Sequence, residues 1–326
     1  MSVGELERTE QFRGEPAEAP ARRSGWVGNT LGWLWRLGVG ALLCTNYLTG
    51  VLVVGWLTRR ARAGAVRVWW RAGPRPGRGE TFEEFCDRQG PDGPSLRPRW
   101  LLHQRPDAVL HAPGSDGEKP SGGRVLLRLP RALAGSAAEN AVAGVRVLFG
   151  TVLLMGWGVL LLQLAWEFGW LNSFTKGYER HFYGAQMGLI AHALFALAMI
   201  YVPMAQAHCA ATGELRAFLD FRFLSALIRA RMTGSVLLAA CTLLAALPLM
   251  ILTVAPQFFN QMNPRFEYAT DEQVLQFMRR YVLAHALVLF VALVILRQWA
   301  ARLYASAVLK VVRRGRVRPG ELHPAV

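Results

Sequence analysis

Charge is what this sequence has least of. Of 326 residues only 18% are charged, against 52% hydrophobic, where a soluble domain of this size carries about 25% charged residues. The shortage is also uneven, because long stretches hold no charge at all and arginine crowds between them. A bilayer imposes that segregation, since charge is expelled from its hydrocarbon and collects beside it. A single soluble domain is therefore excluded. Acidic residues are the scarcer sign, 22 against 37 Lys and Arg, for a net charge of +15. In a soluble chain such a balance points to nucleic acid. Here basic loops account for it, and no nucleic-acid partner is expected.

Other absences narrow the chemistry. Cys44, Cys86, Cys209 and Cys241 form no CxxC pair and no metal spacing, so neither a disulfide framework nor a metal site is expected. No HExxH pair, phosphate-cradling Gly-Lys-Ser/Thr loop or GxSxG elbow is present. No catalytic residue or cofactor is assigned, and an enzyme is the less favoured reading. The first apolar run follows a mixed-charge tail without a small-residue cleavage site, and is expected to stay as an anchor.

Five apolar stretches are long enough to cross about 30 Å of hydrocarbon as helices: residues Leu37–Leu57, Val147–Trp166, Gly184–Ala207, Thr233–Ala255 and Tyr281–Leu296. The last is expected to continue past Arg297 and Arg302 toward Lys310, its cations reaching the interface. Loop charges alternate. The segment 58–146 is rich in arginine, 167–183 is balanced, the connection with Arg216, Arg222, Arg229 and Arg231 is basic, 265–280 is balanced, and the tail is basic. Basic loops stay in the cytoplasm. The long loop, the third connection and the C-terminus are thus expected inside a bacterial inner membrane. A simple first span, the preferred reading, puts the N-terminus in the periplasm. Arg36, however, splits the region 29–57, which also allows a re-entrant hairpin with both ends inside.

The resulting architecture is an all-α membrane protein of about five spans, with an amphipathic cytoplasmic helix and a small, partly folded cytoplasmic loop. The segments are a polar tail (1–28), a first membrane segment (29–58), a basic loop (59–135), a four-span unit (136–310) and a basic tail (311–326). Within the loop, Thr81–Glu84 reads as a helix start, and Arg99–Gln104 and Arg124–Leu129 as short strands of a hairpin. Pro130 suits the first position of a helix leading into the second span. Val66–Arg71 mixes aromatics and cations beside a membrane exit, and the aromatics from Trp166 to Tyr183 form an interfacial belt. Gly144, Gly150, Gly156, Ala191, Ala196, Ala239 and Ala246 are small enough for close helix approach, and Pro203 and Pro248 are candidate kinks.

Polar residues inside spans are costly and mark candidate sites. Gln163, His192 and His285 fall at similar outer depths and are expected to converge as a polar cluster. His208-Cys209 stands alone, and adjacent helix residues point in different directions. After the third span, residues 212–231 carry Phe218, Phe221, Leu224, Leu227 and Ile228 at helical spacing. Arg216, Asp220, Arg222 and Arg229 occupy the other face. This reads as an amphipathic helix on the inner membrane surface, or as a docking element for a protein partner.

Two segments carry a resemblance: Tyr201-Val-Pro203-Met-Ala-Gln206-Ala-His208 with Gly213 and Phe218-Leu-Asp220-Phe-Arg222, and Trp170-Leu-Asn172-Ser173-Phe174-Thr-Lys176-Gly177-Tyr178-Glu179. The pattern resembles a family of uncharacterised polytopic bacterial inner-membrane proteins over roughly residues 130–260. It implies topology and no active site. The expected function is a structural or accessory component binding partner proteins or anionic lipid at the cytoplasmic face. A small-solute transporter or permease subunit is the alternative, and an intramembrane enzyme using His192 or His285 the third.

Overall fold

The computed structural model describes residues 26–72, 122–165, 167, 182–258 and 268–314. Among these the chain is all α, with no strand: α1 (Trp26–Cys44), α2 (Tyr47–Ala72), α3 (Gly122–Ala165), α4 (Phe182–Thr212), α5 (Phe221–Ala230), α6 (Met232–Val254) and α7 (Asp271–Arg313). Two 3-10 turns, Leu215–Leu219 and Ala255–Phe258, precede α5 and follow α6. Four helices are long and apolar enough to cross a bilayer: Leu133–Ala165 within α3, Gln186–Thr212 within α4, α6 and α7. The protein is an all-α, multi-pass membrane protein.

Lipid contact is written into the burial. Between 11% and 22% of each span's most apolar window is buried. Leu189, Leu197, Leu244, Met250 and Ile251 stand open on the flanks. The buried core lies elsewhere. Phe218, Leu224, Leu227, Tyr304, Val308 and Val311 pack with Met204 and Ala205 of α4 and Val66 of α2, at the end of the bundle where α4 stops. Arg59, Arg146, Arg216, Arg222, Arg229 and Lys310 surround the same region, here termed the basic end. At 43 residues, α7 is about 65 Å long, twice the hydrocarbon thickness of about 30 Å. It therefore extends beyond a single crossing, and its last third, Ala300 to Val311, is densely buried.

The first membrane segment is not one helix. The chain breaks at Thr45–Asn46 between α1 and α2. Asn46 Oδ1 accepts the Leu48 amide at 2.9 Å and Thr49 Oγ1 donates to the Leu43 carbonyl at 2.7 Å, so side chains satisfy backbone groups that the break exposes. An unbroken helix would hold residues 40 and 56 about 24 Å apart. Instead both meet one ring: Phe290 of α7 lies where a Gly40 side chain would begin, and it stacks with Trp56 at 6.3 Å between centroids. The chain folds back on itself, so Leu37–Leu57 is not one continuous helix.

Two further expectations are corrected. Arg124–Leu129 is helical, the opening turns of α3, and Pro130 lies inside that helix rather than at its first position. Leu126, Leu127, Arg128 and Leu129 are strong helix formers, and only Val125 is β-branched. The amphipathic segment 212–231 is split at Asp220 into a 3-10 turn and α5. Its stripe of Phe218, Leu224 and Leu227 is fully buried against the protein's own helices rather than laid on lipid. Phe221 turns outward and stacks on Tyr201 at 5.4 Å. Thr81–Glu84, Arg99–Gln104 and the belt aromatics Trp166, Phe168, Trp170, Phe174 and Tyr178 lie outside the described residues.

Close approach depends on a few glycines. A side chain at Gly144 would run into the Val51 carbonyl, and one at Gly55 into the Asn140 backbone, so α2 and α3 cross with bare backbones in contact. Gly150 similarly receives the Phe218 ring. Ala191 and Ala239 are buried, whereas Ala196 is exposed and a side chain at Gly156 would meet only Val152. Gly144→Ala forces two backbones apart, and is expected to cost about 1–3 kcal/mol. Gly156→Ala should be neutral or slightly stabilising. Unfolding midpoints in one detergent compare the two, and equal midpoints would contradict the crossing.

Candidate functional site

The polar side chains that meet are at the basic end of the bundle. α4 stops at Gly213, whose φ of 78° is the left-handed conformation that glycine adopts without strain. The Gly213 amide donates to the Cys209 carbonyl at 2.8 Å, and its carbonyl accepts from Arg146 of α3. Tyr201 donates to the Phe218 carbonyl at 3.0 Å, tying the 3-10 turn back onto α4. These contacts hold Asp220 beside the last turns of α4. Asp220 Oδ1 accepts the Phe223 amide at 3.3 Å and so starts α5.

His208 lies at the centre of this arrangement and is 6% exposed. Its Nδ1 is 2.9 Å from the Tyr304 hydroxyl of α7, and its Nε2 is 3.8 Å from Asp220 Oδ2. The Phe223 ring covers it at 4.9 Å between centroids. Nδ1 faces the tyrosine hydroxyl and Nε2 faces the carboxylate. One imidazole thus links α4, α7 and the start of α5.

A second chain runs beside the first. Gln206 Nε2 donates to Thr151 Oγ1 of α3 at 2.6 Å, and Arg297 of α7 donates to Gln206 Oε1. Arg297 is half-buried. A glutamine one helix away accepts its hydrogen bond. At the α2–α3 crossing, Arg59 donates to the buried Asn140 Oδ1 at 2.8 Å and lies 3.4 Å from Glu139.

The outer-half trio is placed differently. Gln163 is exposed and donates to Glu167 at 2.9 Å. His192 is exposed, with Nδ1 2.6 Å from the Gly188 carbonyl of its own helix. His285 is partly buried on α7. Among the described residues no hydrogen bond or ring contact joins the three. Arg216, Asp220, Arg222 and Arg229 are all exposed at the basic end. Arg229 bonds the Ser225 carbonyl at 3.2 Å, and Asp220 serves both α5 and His208.

Sequence reasoning passed over His208, Gln206, Tyr304 and Arg297 as a set. The available signal was spacing: Gln206 lies one residue inside the third apolar stretch and Arg297 one residue beyond the fifth, each at the end of its span. Chemically, the His208 group is a hydrogen-bonded acid–base set, and the Gln206 group is a satisfied cation.

Tyr304→Phe keeps the buried ring and removes the hydroxyl that His208 bonds. It is expected to destabilise the protein by about 1–3 kcal/mol, measured as a shifted unfolding midpoint. A loss below about 0.5 kcal/mol would count against the bond. Compared with protein-family models, curated proteins and solved structures, the chain matches none.

Proposed function

We propose that this chain is a structural or accessory component of a bacterial inner membrane, working through its cytoplasmic face. The observation that carries the reading is how α5 is mounted. Leu224, Leu227 and Ala230 lock one side of it into the core, while Arg222 and Arg229 stand exposed on the other, with Arg216 on the preceding turn. A charged row held this rigidly suits a partner protein or anionic headgroups, because little side-chain support has to be ordered on binding. The positive-inside rule supports a cytoplasmic basic end and C-terminus. The fold-back of α1 on α2 supports a cytoplasmic N-terminus as well, in place of the periplasmic one that a single first span requires.

Chemical cross-linking and affinity recovery from native membranes tests the reading. The wild-type chain is expected to bring down a stoichiometric partner, and Arg216→Glu with Arg222→Glu to reduce recovery several-fold. No partner together with a silent double variant would count against it. A reporter that fluoresces only in the cytoplasm is expected to light at either terminus, and a dark N-terminal fusion would restore the five-span topology.

Arg297 favours a second reading, a small-solute transporter or permease subunit, since an ionisable residue within a span marks a transport path in many membrane proteins. Thr151→Cys and Gln206→Cys distinguish the two. Reaction with membrane-impermeant thiol reagents from both faces favours transport, and protection from at least one face favours the accessory role.

A further inference from the structure

The basic end contains a cleft that neither helix–helix packing nor the α5 row uses. It has a volume of about 280 Å³ and is lined by Arg231, Ser306, Leu309, Lys310, Arg313 and Arg314. Four of those six residues are cations and none is a carboxylate. Among the described residues no carboxylate pairs with any of the four. Lys310 donates to the Ala230 carbonyl at 2.8 Å, which holds its ammonium at the junction of α5, α6 and α7. Arg231 is exposed at the start of α6 and makes no side-chain cap there, so the first amides of that 23-residue helix add partial positive charge at the same spot. The C-terminus of α7 brings partial negative charge, which Lys310 and Arg313 in its last turn offset.

The surroundings indicate the source of an anion. Immediately beyond Arg231, the α6 side chains Met232, Val236 and Leu237 are exposed and apolar. They begin a helix long and apolar enough to cross the bilayer. Cations therefore stand directly above a surface made for acyl chains. A free anion needs only the first feature, whereas a membrane lipid uses both.

We infer that the Arg231–Lys310–Arg313–Arg314 cleft binds the phosphate of an anionic phospholipid whose acyl chains lie along α6. The inference rests on the accessory reading and deepens it by giving the cytoplasmic face a defined lipid site, separate from Arg216 and Arg222. Guanidinium groups suit it, since each offers two parallel N–H donors to phosphate oxygens.

The test uses the full chain in nanodiscs of zwitterionic lipid, titrated with phosphatidylglycerol and read by native mass spectrometry. Wild type is expected to retain a bound anionic lipid. Arg231→Gln with Arg313→Gln and Arg314→Gln should weaken retention by about 100-fold, at roughly one surface charge's attraction per cation removed. Replacing the same three arginines by lysine should restore most of it. Arg216→Gln with Arg222→Gln should change it less than about twofold. Retention unchanged in the triple glutamine variant would overturn the inference. So would displacement of the lipid by low-millimolar inorganic phosphate, which would assign the cleft to a free anion. Unfolding midpoints of all variants separate lost binding from lost folding. Because partner recovery depends on Arg216 and Arg222, failure here with recovery intact rejects the cleft alone.

Discussion

Hydrocarbon gives apolar side chains no reason to leave it for one another, and this constraint shapes the whole molecule. Four spans expose leucine, valine and isoleucine on their flanks and bury little. What holds the helices together must therefore come from apolar burial at the end of the bundle, from bare backbone contact, or from polar bonds. All three are found. Phe218, Leu224, Leu227, Val308 and Val311 bury apolar surface at the basic end. Where water can reach that end, full burial of a large side chain contributes about 1.5–3 kcal/mol. Gly55 and Gly144 let two backbones touch.

The polar bonds add specificity of placement. Gln206 and His208 lie in the final turns of α4 and Gly213 just past its end, and together they tie it to its neighbours: Gln206 to Thr151 of α3 and Arg297 of α7, His208 to Tyr304 of α7 with Asp220 3.8 Å away, and Gly213 to Arg146 of α3. Buried polar groups carry a penalty when unpaired, so these pairings fix the rotation of α4 relative to α3 and α7. Elsewhere the same accounting resolves a backbone defect. Pro256 has no amide to give the Leu252 carbonyl, and the Tyr281 hydroxyl donates to that carbonyl instead.

Much of this was legible in the sequence, and the failures share a cause. The four long spans follow from uncharged length alone, and Gly144 and Gly150 from small size. The capping box at Thr270–Gln273 has a readable pattern as well. The break at Thr45–Asn46 was ambiguous, because Arg36 allowed a hairpin without locating its turn. His208, Gln206 and Arg297 were not read as a set because a residue near the end of a span has two options, the interface or a partner. Only the fold reveals whether a partner on another helix lies within reach. The buried α5 stripe failed for the same reason: periodicity identifies an apolar face, and a long α7 that outruns the bilayer decides what covers it.

The central claim is that mutual polar satisfaction joins α4 to α7 at the basic end. A double-mutant cycle between Gln206→Leu and Arg297→Leu, scored by reversible unfolding in nanodiscs, tests it most directly. The account predicts that the double variant loses less stability than the two singles added together, with a coupling of about 1 kcal/mol or more. Losses that add to within about 0.5 kcal/mol would mean that the two side chains act independently, and would contradict it.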